Sequence, residues 1–174
     1  MSTLERSLRA RSSLLTFAAL AVIALLAGGL ARDAHAAHKI ARQQQTISDL
    51  RAVGGAMFQW YKEVQAPRRT THPKEGRAKV VDLAEIPEIS HDELAKLLAP
   101  KYIAAVPEND GWGHPYEFRL NTRDPDAVRV MAVRSAGADG AFSGSSYTIG
   151  SFLPAQTDED LVWVDGYFTR WPAE

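Results

Sequence analysis

The stretch 106–120 (VPENDGWGHPYEFRL), with 130–140 (VMAVRSAGADG) after it, constrains this chain more than any other. Its first half is a turn that feeds a strand. Asn109, Asp110 and Gly111 supply side-chain caps and a permissive backbone, and Gly113 lets the chain pass close to the Trp112 ring. Pro115 opens an extended run in which Tyr116, Phe118 and Leu120 alternate with Glu117 and Arg119, as a half-buried strand requires. A second strand is expected over 128–134. It leads into Ser135-Ala136-Gly137-Ala138-Asp139-Gly140, a loop of small residues with one carboxylate.

These residues resemble a known family. Pro107, Asp110, Gly111-Trp112-Gly113 and Pro115-Tyr116 ahead of an aromatic strand resemble the Pro-x-Asp-Pro-Trp-Gly-Asn-Pro-Tyr segment of the major pseudopilin of type II secretion, the protein G type. Ser135-x-Gly137-Ala138-Asp139-Gly140 resembles the Ser-x-Gly-Ala-Asp-Gly loop that follows the second strand there. Ile47-Ser48-Asp49-Leu50, with Met57 and Tyr61-Lys62, resembles the pseudopilin stem helix where it enters the globular domain. The likeness covers roughly residues 47–160, about two thirds of the chain. It implies a pilin-like fold and a link to type II secretion or type IV pilus machinery at a bacterial inner membrane.

The start of the chain departs from that family. Residues 12–31 carry no charge, and a run of about 20 apolar residues is what a helix needs to cross a bilayer core. Arg6, Arg9 and Arg11 precede it and favour a cytoplasmic N-terminus, although Arg32, Lys39 and Arg42 follow within similar reach. The rival reading is a cleaved signal peptide, with Ala34-His35-Ala36 as the cleavage site. The apolar run is longer than a usual signal-peptide core of about 7–15 residues, which favours the retained anchor. Pseudopilin leaders end in Gly followed by Phe-Thr-Leu-Leu-Glu, whereas this region reads Arg11-Ser12-Ser13-Leu14-Leu15-Thr16-Phe17. Both the Gly and the Glu are missing, and with the Glu goes the family's usual assembly contact.

The remainder reads as helix, loop, helix and strands. Over 33–65, Ile40, Ile47, Leu50, Met57, Tyr61 and Val64 recur at helical spacing, with Val53 and Phe58 widening the stripe. Gly54-Gly55 interrupts it, and close approach of a strand or loop is the expected reason. Pro67 ends the helix. Residues 66–79 form a loop rich in Pro, Thr and positive charge, read as solvated because no aromatics are interleaved for stacking on bases. Ser90-His91-Asp92-Glu93 is a capping box that starts a short helix buried through Leu94, Leu97 and Leu98, with Ile89 and Leu94 as a staple. Residues 142–156 read as a nearly uncharged insertion. Asp165-Gly166 between two apolar runs predicts a type I′ hairpin that pairs Val164 with Tyr167 and Trp163 with Phe168.

The chemistry is sparse. There is no cysteine, and the net charge of −1 gives no attraction to nucleic acid. Ser143 lacks the flanking glycine of a nucleophile elbow, and no H-E-x-x-H or phosphate-cradling loop occurs. His35 and His38 lack a third ligand, His114 is read as bonding to backbone, and Trp112 and Tyr116 as core. No catalytic residue and no cofactor-binding residue is therefore expected. One metal site has a physical case: Asp139 sits in a turn that exposes carbonyls, and Asp158 and Asp160 return to it if the sheet closes, giving calcium its mixed oxygens. The competing reading makes Asp139 a turn former and Asp158 and Asp160 a solvated strand entry.

The expected architecture is α+β: a transmembrane or signal segment over 1–32, an amphipathic stem helix over 33–66, and a globular domain over 67–174. In it an antiparallel sheet of about four strands packs on the long helix. The expected function is non-enzymatic, exercised through protein partners or self-association, with the chain anchored in the inner membrane and its domain in the periplasm. A soluble periplasmic binding module, released by cleavage after Ala36, is the alternative.

Overall fold

The computed structural model describes residues 36–70, 79–124 and 126–173. The segment 1–32 expected as anchor or signal peptide, and His35, lie outside them. Among the described residues no helix is long and apolar enough to cross a membrane. Ile40–Glu174 form a compact unit that holds most of the first helix together with the sheet.

The first helix, α1, runs through residues 36–64. Its buried stripe is Gln43, Thr46, Leu50, Val53, Met57 and Trp60, steps of three and four that keep one face toward the sheet. Two expected members of the stripe are not core: Ile40 is 48% exposed and Phe58 38% exposed. Ile40 lies ahead of the first buried position, and Phe58 stands about 100° round the helix from Met57. Trp60 takes the place assigned to Phe58. The helix stops before a short 3-10 turn, Ala66–Arg68, in which Pro67 occupies the first turn.

The second helix, α2, is His91–Leu98 and is capped as its sequence demands. Glu93 N donates to Ser90 Oγ, while Ser90 N donates back to the Glu93 carboxylate. Leu94 and Leu98 are fully buried. Eight strands are found among the described residues: β1 Val80–Asp82, β2 Glu88–Ile89, β3 Glu117–Leu120, β4 Met131–Ser135, β5 Ser146–Thr148, β6 Gly150–Phe152, β7 Leu161–Val164 and β8 Tyr167–Pro172. Six make one sheet in the order β2-β3-β4-β7-β8-β6, and β1 pairs with β5 in a separate ribbon. Every pairing is antiparallel except β6 with β8.

This sheet is larger than the expected four strands and is mixed. The added strands are β2, ahead of α2, and β6, which with β5 comes from 142–156, expected as an insertion. Its alternation puts Tyr147 and Phe152 into the core, so it folds as β5 and β6. The two faces of the sheet are covered differently. On the front, Phe118, Leu120, Met131, Val133, Leu161 and Trp163 meet α1 and α2 in one core. On the back, Ala132, Val162 and Val164 meet Val81, Leu83 and Tyr147 in a smaller one.

The predicted hairpin register holds, with Trp163 opposite Phe168 and Val164 opposite Tyr167. Asp165 and Gly166 have φ of 47° and 111°, both positive as a type I′ turn requires. A Cβ on Gly54 would lie 2.5 Å from the Trp163 ring, so this glycine lets the indole sit against the α1 backbone.

Candidate functional site

The two motif segments meet at Asp110. Its Oδ1 accepts from Trp112 N and His114 N, both at 2.9 Å, which closes the turn as an Asx-type cap. Its Oδ2 accepts the Ser135 hydroxyl at 2.6 Å, and Ser135 Oγ accepts Gly137 N at 3.1 Å. The His114 Nδ1 lies 2.9 Å from the Gly137 carbonyl, so that nitrogen carries the proton and donates. The other side of the imidazole packs on Gly140, where a Cβ would sit 2.9 Å from Nε2. Gly111 N donates to Thr46 Oγ1 at 3.0 Å, and a Cβ on Gly111 would collide with the Arg42 carbonyl. The turn is thereby fastened to α1.

A serine, a histidine and an aspartate thus stand together without forming a relay. A nucleophilic serine needs the imidazole as its acceptor. Here Ser135 donates to Asp110, His114 is turned to a backbone carbonyl, and Ser135 is fully buried. The arrangement holds two loops in place. The backbone-bonding role read for His114 is what the geometry displays.

A second polar assembly runs across the back of the sheet. Glu88, on the edge strand, accepts from Arg119 at 2.6 Å, and Arg119 also donates to Glu117 at 2.6 Å. Glu117 accepts from Arg134 at 2.5 Å. Arg134 then donates to Tyr147 Oη at 2.6 Å, and Tyr147 donates to Asp160 Oδ2 at 2.7 Å. The Arg134 guanidinium also lies 3.8 Å from the centre of the Phe142 ring. Burial pushes the Glu117 carboxyl up, but hydrogen bonds from Arg134 and Arg119 outweigh it and hold the group below the usual range. Burial likewise works against the Arg134 charge and is outweighed by Glu117 and Tyr147. Burial raises the Tyr147 phenol, and Asp160 raises it further.

The sequence reading singled out none of Glu88, Glu117, Arg119 and Arg134 as a partner of another. The signal was present as parity. Phe118 and Leu120 face the front, so Glu117 and Arg119 face the back. Met131 and Val133 face the front, so Arg134 shares that back face on the neighbouring strand.

The three aspartates of the proposed calcium site stand in three different settings. Asp139 Oδ1 accepts Ala141 N at 3.0 Å, which is the turn-forming reading. Asp160 is 3% exposed and its Oδ2 holds Ser143 through both N and Oγ, at 3.0 and 2.7 Å. Asp158 is exposed. The backbones do meet: Ala138 N donates to Thr157 O at 2.8 Å, and a Cβ on Gly137 would sit 2.8 Å from the Thr157 and Glu159 carbonyls. Their side chains diverge, and among the described residues no three His, Cys, Asp or Glu side chains are grouped to hold a metal. The entry to β7 is therefore buried at Asp160, not solvated as its charge suggested.

Tyr116 is core, as expected, and its hydroxyl donates to Asp49 at 3.1 Å. Trp112 is partly buried against the same core. In the basic loop, Arg69 donates to the Tyr61 hydroxyl at 2.7 Å and to the Ala127 carbonyl at 3.1 Å, while Lys74 and Arg77 lie outside the described residues. In comparisons with known proteins, the chain matches no family model, no curated protein and no solved structure.

Proposed function

We propose that this chain is a non-enzymatic, exported, membrane-anchored pseudopilin-like protein that acts through protein contacts in machinery of the type II secretion or type IV pilus kind. One observation carries the reading. The two segments that resemble the pseudopilin motifs are fastened to one another through Asp110, Ser135 and His114, and to α1 through Gly111 and Thr46. Residues that carry a family likeness here serve the architecture, and a scaffold working by its surface is the function such an architecture suits. The same bonds occupy the polar side chains from which a catalytic constellation would be drawn.

A free periplasmic module is the second reading. It is favoured by the compact unit beginning at Ile40, so that cleavage after Ala36 leaves that unit whole. Mass spectrometry of the mature chain from fractionated cells separates the two. A membrane-bound chain that keeps residues 12–31 is the expected result, and a soluble chain starting at Ala37 sinks the anchor. Co-purification of the membrane-bound chain with secretion ATPase or prepilin-peptidase relatives tests the machinery itself. Cells that lack any such relatives rule it out.

A further inference from the structure

Gly54 has a structural reason to be glycine and Gly55 has none among the described residues, where a Cβ built on it meets nothing within 4 Å. A glycine on an exposed helix face costs about 1 kcal/mol relative to alanine. Arg51, Gly55, Phe58 and Lys62 form an exposed stripe at helical spacing. Beside it lies a pocket of about 160 Å³, lined by Phe58, Tyr61, Arg69, Val128, Val130 and Asp165. Two of its rim residues are apolar and open to solvent, Phe58 at 38% and Val128 at 51%.

Cations surround this apolar patch. Arg51 lies 5.6 Å from the Phe168 ring centre, and Lys62 5.9 Å from that of Phe58. Arg69 is held at the pocket by the Tyr61 hydroxyl, and Arg129 reaches the Tyr167 hydroxyl at 2.9 Å. The adjoining carboxylates are engaged: Asp165 lines the pocket and its Oδ2 lies 3.5 Å from Arg129. Asp165 accepts from Val130 N and Met131 N, both at 3.0 Å, and Asp126 accepts from Thr70. The surface therefore presents a bare stretch of helix backbone and a pocket of side-chain size, with two exposed cations, Arg51 and Lys62, on the same helix stripe.

We propose that it docks an acidic segment of a partner protein. The segment lays its backbone across Gly55, sets one apolar side chain between Phe58 and Val128, and places its carboxylates toward Arg51 and Lys62. A nucleic-acid strand needs a continuous cationic track with successive stacking platforms, and this helix stripe offers two cations, Arg51 and Lys62, with one ring, Phe58, between them. A lipid surface needs a broad apolar face, and one phenyl ring and one valine do not supply it. The inference rests on the proposed function, because it names where a protein contact is made.

The experiment uses the full-length chain in a non-ionic detergent and a fluorescent acidic peptide that carries one Leu, titrated by anisotropy. The decisive variant is Gly55→Ala, which opposes stability and binding. It should raise Tm by about 2–4 °C, because a helical glycine in open space is replaced by alanine. At the same time it should weaken peptide binding about tenfold or more, equivalent to about 1.4 kcal/mol. Lys62→Glu and Arg51→Glu should weaken it at least as much and remove its salt dependence. Equal binding by Gly55→Ala and the parent overturns the proposal. So does preferential binding to phosphatidylglycerol vesicles, to oligo-dT, or to a second copy of the chain through Phe58. Continued co-purification of Lys62→Glu with secretion components would overturn this surface and leave the proposed function standing.

Discussion

The front and the back of the six-stranded sheet are built on opposite principles. The front is apolar and local rules explain it: strand parity and helical spacing bring Leu50, Met57, Leu94, Phe118 and Trp163 to one core. The back carries an ionic chain from Glu88 to Asp160 beneath a two-stranded ribbon; parity sets the face of Glu117, Arg119 and Arg134, and long-range pairing joins them to Glu88, Tyr147 and Asp160. The contrast shows where stability and where uniqueness reside. Apolar burial on the front supplies most of the driving force, because it grows with area and tolerates small changes of shape. A buried ion pair adds little net stability, but breaking it is costly, so the back face penalises every register except the one that pairs Glu117 with Arg134.

The largest test of this difference is Trp163→Ala. It empties the centre of the front and leaves Gly54 facing a cavity, and should cost about 3–5 kcal/mol in urea unfolding. A loss below about 1 kcal/mol would mean that the front is not the main source of stability. Next comes the back. Glu117→Ala leaves the Arg134 charge buried without its carboxylate and should cost about 3 kcal/mol, whereas Glu117→Leu with Arg134→Met should recover most of that loss. Failure of the double variant to recover would show that the chain is needed for stability itself.

Acid should then separate the faces. Folding lowers the Glu117 pKa, so its contribution is full above the ordinary value of 4.5 and disappears as pH falls through the lower folded value. Asp165 acts in the opposite sense: burial raises its carboxyl, despite bonds from Val130 and Met131, so its ionisation erodes stability as pH rises from the ordinary 3.8 toward the folded value. Melts of Glu117→Gln between pH 3 and 6 should show a flatter acid limb than the parent. Melts of Trp163→Phe should keep the parent's slope at lower Tm.

The smallest expected effect concerns calcium. A site at a hundredfold excess of ligand over Kd stabilises by about 2.7 kcal/mol, which is about 7 °C for a domain of this size. Because Asp139, Asp158 and Asp160 point apart, melts in EDTA and in millimolar calcium should superimpose, for the parent and for Asp139→Asn. A calcium-dependent rise that Asp139→Asn abolishes would restore the metal reading.

The capping box, the Asp165-Gly166 hairpin, the stripe through Leu50 and Met57, and the strands either side of the motif loop were legible because each is written within a few residues. What was hidden depended on pairing at long range. Gln43 and Thr46 look like surface residues but are buried, Thr46 where Gly111 comes to rest on it. Residues 142–156 carry too short an alternation to announce β5 and β6, and only β1 and β8 make strands of them. In the candidate site, the backbones of 137–138 and 157–159 meet. The direction of each carboxylate was not legible, because a backbone amide takes Asp139 and Ser143 with Tyr147 takes Asp160.

The strand β8 lies inside the sheet, between β7 and β6, and Trp163 fills the groove over Gly54. Order of synthesis turns that placement into a timing constraint. The helix that leaves the ribosome early displays Leu50, Val53 and Met57, and their cover from Leu161 and Trp163 arrives only after β1 to β6 have emerged. Contacts so distant in sequence make for slow folding and an aggregation-exposed nascent state. A chain ordered in this way is suited to being held unfolded until its last strands arrive, and a truncation within β8 would strand the helix as well as the sheet.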